Sequence, residues 1–157
     1  MDSKLNLLTK AAALLAIAVV FQLLKMGQYV TGTGVNAVLI TAVAVCGLPW
    51  AAAIGLMTPV LAVLLGIQPP AAVVLVPFII AANIVYVVLF HVLRKYNDYL
   101  GVFAAAVVKF AVLYTAANVI ITKLPAPIKL AFSVPQLATA VAGGVLAVAI
   151  INISKKI

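Results

Sequence analysis

Long apolar runs separated by short polar or proline-containing breaks dominate the chain, and they predict about six transmembrane helices. The runs cover residues 5–24, 35–48, 51–66, 73–93, 99–122 and 134–153. The first is too long for the apolar part of a signal peptide and reads as a spanning helix. The second and third are short for a ~30 Å hydrocarbon core, and the third holds Pro59. Breaks fall where helices stop easily. A glycine-rich polar stretch over residues 25–34 reads as a mobile loop, Pro69-Pro70 interrupts the middle, and Pro125 and Pro127 precede the last run.

Cationic residues at the run ends set an orientation. With the N-terminus in the cytoplasm, Lys4, Lys10, Arg94, Lys95, Lys155 and Lys156 lie inside, against Lys25, Lys123 and Lys129 outside. Cytoplasmic ends carry the Lys and Arg excess, so both termini are expected inside, with Trp50, Tyr96 and Tyr99 at the inner interface.

Composition agrees with lipid as the solvent. Of 157 residues, 68% are apolar and 8% charged, against about 45–50% and 25% in soluble domains. The expected fold is an all-α integral membrane protein, one transmembrane domain over residues 1–157, in the cell membrane. A net charge of +8 would suggest nucleic acid in a soluble protein, but here the cations flank apolar runs and meet lipid head groups instead. Asp2 and Asp98 are the only acids. That leaves no carboxylate pair for hydrolysis, and a single His and a single Cys make a poor metal set. No phosphate-binding G-x-x-x-x-G-K-[ST] loop occurs. The expectation is therefore a non-enzyme with no catalytic residue, metal or cofactor.

A few polar residues interrupt the apolar runs. Lys109 lies ten residues past Tyr99, roughly 15 Å into the bilayer at 1.5 Å per residue. A charge at that depth is costly and usually functional. Ala105, Ala106 and Ala116 share its face and direct it into the bundle. No acid sits at its depth, so the ammonium must meet carbonyls, water or an anion from outside, or lose its proton. Tyr114, Asn118 and Thr122 form a second stripe on the same run, with Asn118 nearly opposite Lys109. Both faces cannot meet one small ligand, so one of them is structural. Asn83 and Tyr86 share a face and either orient a polar solute or join two helices. Gln136 and Thr139 share a face near the outer end of the last run, while Lys25, Gln28 and Tyr29 lie in the expected outer loop. His91 reads as interfacial. Ala12 and Ala16, four residues apart, allow close approach of another helix, within the bundle or from a partner.

This pattern resembles the substrate-binding S component of energy-coupling-factor transporters. The resemblance is carried by the Ala-rich first run (Ala12, Ala13, Ala16), the glycine-rich outer connection over residues 25–34, and VPFIIAAN at residues 76–83. It implies a small six-helix bundle that captures a vitamin or related micronutrient on the outer side. It also implies docking, through Ala12 and Ala16, on a transmembrane coupling subunit that carries two ATPases. The solute site would draw on Lys109, Asn83, Tyr86, Tyr114, Asn118, Gln136, Lys25, Gln28 and Tyr29, and the cations favour an anionic solute. The alternative is a non-transport scaffold of similar architecture, such as the membrane subunit of a cell-shape complex, which would need the small-residue faces but neither Lys109 nor the Asn83/Tyr86 pair.

Overall fold

The structure, a computed structural model, describes residues 2–154. Lys155 and Lys156, counted in the orientation above, lie outside the described residues. The long helices are α1 (Asp2–Leu23), α2 (Gly27–Val45), α3 (Leu48–Leu64), α4 (Val76–Leu93), α5 (Asp98–Thr115) and α7 (Val134–Ser154). A 3-10 segment, Pro70–Leu75, leads into α4. A π-helical turn, Ala116–Ile120, ends α5, and a short helix α6 (Ala126–Ala131) precedes α7. Five helical stretches are long and apolar enough to cross a membrane; α3, with 17 residues, is shorter. This is the pattern of a multi-pass membrane protein. Large apolar side chains such as Leu64, Phe103 and Val119 are exposed on its flanks, as lipid-facing residues are.

The breaks have local causes. Gly47 adopts φ 88 and Gly66 φ 65, a left-handed geometry open to glycine at little cost. Pro49 then sits in the first turn of α3, where a missing N–H leaves no bond unmade. Asn97 caps α5 by accepting hydrogen bonds from the backbone N–H of Tyr99 (2.9 Å) and of Leu100 (3.0 Å).

One connection departs from the sequence reading. The stretch over residues 25–34 is not a mobile loop: α2 begins at Gly27, and a tight turn at Lys25, with φ 47, joins it to α1. Gly27, with φ 81 and open space beside it, serves the turn, while Gly32 and Gly34 serve close packing. A Cβ at Gly34 would lie 2.5 Å from the Phe21 ring, and one at Gly32 would lie 2.9 Å from the Thr139 hydroxyl. Lys25 and Tyr29 are accordingly exposed at the helix junction. Thr31 ties the junction, donating from its hydroxyl to the Phe21 carbonyl at the end of α1 (3.2 Å).

The centre of the bundle is the α2/α7 contact, flanked by the α4/α5 pair, which also packs on α7. Ala140, Gly143, Gly144 and Ala147 of α7 are all buried, so that small-residue face serves packing within the bundle. The first helix is peripheral and packs chiefly on α2 and α3. Of its alanines, Ala11 and Ala18 are buried, while Ala12, Ala13 and Ala16 are exposed.

Candidate functional site

A proline in α3 begins the construction of the site. Pro59 has no N–H, so the carbonyl four residues earlier, that of Gly55, loses its helical partner. In hydrocarbon such a group must be satisfied from elsewhere. Asn83 of α4 does this, donating from Nδ2 to the Gly55 oxygen at 2.9 Å. That bond fixes the amide, so its Oδ1 faces the other way, and there it accepts a hydrogen bond from Lys109 Nζ of α5 at 2.8 Å. Asn36 of α2 provides a second acceptor, with Oδ1 2.5 Å from the same nitrogen. The Tyr86 ring lies 4.9 Å from Nζ, within the range of a cation–π contact. Its hydroxyl donates to the Ala140 carbonyl of α7 at 2.7 Å. Three helices, α2, α4 and α5, thus meet at one ammonium group, and α3 and α7 are tied to it through Asn83 and Tyr86.

Lys109 is 3% exposed, and its neighbours Ala105, Ala106 and Ala116 are fully buried, as their spacing suggested. Among the described residues no acid balances it. Asp98, the acid described closest in sequence, pairs with Arg94 at 3.7 Å at the start of α5. The charge is held by amide dipoles and a ring face alone.

Above Lys109 lies a cavity of about 170 Å³. Asn36, Thr58, Asn83 and Lys109 line its depth. Gln22, Gln28, Gln68 and Gln136 line it nearer the helix ends, with Val35, Ile79, Leu113 and Phe132 as apolar walls. Asn36 lies a little over two turns beyond Gln28 on α2, roughly 12 Å at 1.5 Å per residue. At the rim, Gln28 Nε2 donates to Gln136 Oε1 at 3.3 Å and to the Ala131 carbonyl at 3.5 Å, bridging α2 to the start of α7.

The structure brings Lys109, Asn83, Gln28 and Gln136 into one cavity, with Tyr86 beneath Lys109 as a supporting group. It places the others elsewhere. Tyr114 is exposed on the far side of α5, and Asn118 Nδ2 donates to the Tyr114 carbonyl (3.1 Å) and to Ser133 Oγ (3.5 Å). Of the two faces of that helix, the one with Lys109 meets the cavity. Lys25 and Tyr29 lie outside its lining, as does His91, which is exposed near the end of α4. Asn36, Thr58, Gln22 and Gln68 are lining residues that the sequence did not single out. Asn36 is a lone polar residue inside an apolar run, the same signal that marked Lys109.

Replacing Pro59 by alanine restores an N–H aimed at the Gly55 carbonyl and competes with Asn83. We expect the bundle to fold and the Asn83 amide to lose its hold on the Gly55 carbonyl, the equivalent of one hydrogen bond at about 0.5–1.5 kcal/mol. NMR of the Asn83 side-chain amide in the purified variant against wild type measures it; unchanged amide resonances would remove Pro59 from the site's construction.

Compared with protein-family models, curated proteins and solved structures, the chain finds no match in any of the three. The purpose of the site is therefore read from its own chemistry.

Proposed function

We propose that the protein captures a small anionic solute within the membrane and serves as the substrate-binding S component of an energy-coupling-factor importer of a vitamin-like micronutrient. The observation that carries this reading is the buried Lys109 ammonium at the base of a cavity, held by Asn36 and Asn83 with no carboxylate beside it among the described residues. An ammonium has three N–H donors, and two are occupied by the amides. An uncompensated buried charge is expensive, and an anion arriving from water offsets that cost. A scaffold has no use for such a group.

The direction of capture follows from charge. With both termini in the cytoplasm, the rim formed by Gln22, Gln28 and Gln136 faces outside, the side from which an importer takes its solute. The exposed Ala12, Ala13 and Ala16 of α1 then offer a small-residue face to a transmembrane coupling subunit, where backbones approach closely. That subunit would carry the two ATPases that this chain does not supply.

Affinity purification from the native membrane under mild detergent tests the assignment. Recovery of a membrane subunit together with two ATPases, lost when Ala12 and Ala16 are both replaced by leucine, is the expected result. Recovery of cell-shape proteins without ATPases would replace this reading with the scaffold.

A further inference from the structure

The cavity lining restricts the chemistry of what it holds, beyond the bare statement that it binds an anion. Lys109 is its single charged group. Every other polar side chain in the lining is neutral: Gln22, Gln28, Gln68 and Gln136, the hydroxyls of Thr31 and Thr58, and the two asparagines that hold Lys109. In a low-dielectric site each buried charge needs a partner. One ammonium balances one negative charge, and a dianion would leave its second charge buried and unpaired. Two of the three N–H donors of Lys109 are already engaged by Asn36 and Asn83, so a single donor remains for the anion, which suits a carboxylate better than a phosphate group.

The rest of the lining is rich in amides, and amides pair with other amides, since each offers both a donor and an acceptor. One is unsatisfied: Gln22 Oε1 is buried without a hydrogen-bond partner among the described residues. A buried acceptor in that state destabilises the empty site, and a solute N–H reached by rotation of the side chain relieves it. Size adds a third limit. At about 170 Å³ the cavity falls below the ~300 Å³ at which pockets for larger ligands begin.

We infer that the solute is a compact monocarboxylate whose remaining polar groups are neutral N–H and C=O groups of amide, lactam or ureide type. Its carboxylate meets Lys109 and an N–H turns to Gln22. This inference rests on the capture reading above.

A charge-matched panel tests it. Small cyclic ureides and lactams, hydantoin-5-acetate among them, are each presented as the carboxylate, the primary amide and the phosphonate, and binding is read as thermal stabilisation of the purified full-length protein. Carboxylates are expected to bind at least about tenfold more tightly than their amide and phosphonate counterparts, and Lys109→Gln removes that preference. Methylating the ring N–H weakens binding to wild type but not to Gln22→Leu, a variant that removes the unpartnered Oε1 and keeps the test open if the lysine variant fails to fold. A phosphonate or neutral amide that binds as tightly as its carboxylate overturns the inference and leaves solute capture intact. Failure of the whole panel, with a small-molecule adduct still present on protein from the native host, also overturns the inference alone. Failure of the panel with no adduct overturns the capture reading too.

Discussion

Replacing Lys109 by methionine is expected to abolish solute retention while the helical bundle still assembles. Methionine keeps an unbranched apolar stem one atom shorter than that of lysine, so the buried face that Lys109 shares with Ala105 and Ala106 stays filled while the Tyr86 ring loses its cation. The loss is the ammonium. Truncating one partner of a buried, hydrogen-bonded charge pair costs about 2–5 kcal/mol, a roughly 30- to 4,000-fold rise in Kd. For the empty protein two effects oppose each other. Asn36 Oδ1 and Asn83 Oδ1 lose their shared donor, at about 1–3 kcal/mol for each group left unsatisfied. Against that, an uncompensated buried charge disappears. Folding therefore changes much less than binding. His91→Ala is the matched control, because His91 is exposed and outside the cavity lining. Equal affinities for the two variants would remove Lys109 from the site.

The second large effect is expected from Gly143→Ala, and it falls on assembly before binding. A Cβ at Gly143 would collide with the Thr33 carbonyl and would lie 2.8 Å from both the Ala37 nitrogen and the Asn36 Cβ. Two of these three are backbone atoms of α2, which no rotamer change can move aside. The α2/α7 contact, the most extensive in the bundle, has to open. Overpacking of this kind costs about 1–3 kcal/mol and occasionally more, and here the upper end applies because backbone meets backbone. Asn36 is itself one of the displaced groups, so the acceptor geometry at Lys109 deteriorates as well. Thermal denaturation in detergent is expected to show a clear loss of stability, accompanied by weaker binding. Gly32→Ala offers the comparison, because the three atoms nearest its added Cβ all belong to the Thr139 side chain, and it should cost less. A Gly143→Ala protein as stable as wild type would contradict the packing described.

The sequence made the inward face of Lys109 legible because alanines at positions 105, 106 and 116 mark the side of a helix that meets other helices. Its partners were harder to read. Asn36 escaped notice because the glycines at positions 27, 32 and 34 looked like a loop, which left that residue at the very start of a run. Glycine carries two meanings, backbone freedom in a turn and close approach in a helix, and in membrane helices the second is common. Only the neighbours across the bundle, Phe21 and Thr139, decide between them. Pro59 stood out in the sequence as a helix breaker, whereas in the fold it frees a carbonyl for Asn83. That role depends on which helix lies opposite, information that no local pattern holds. The two faces of α5 were both polar enough to qualify, and only the packing of α4 and α7 against one of them separates Lys109 from Tyr114 and Asn118.

Native mass spectrometry of the gently purified wild-type protein beside Lys109→Met tests the central claim most directly. The account predicts one small adduct of defined mass on wild type, present at unit stoichiometry and absent from the variant. Wild-type protein that stays bare after incubation with vitamins and related anions, or an adduct that Lys109→Met retains equally, would contradict it.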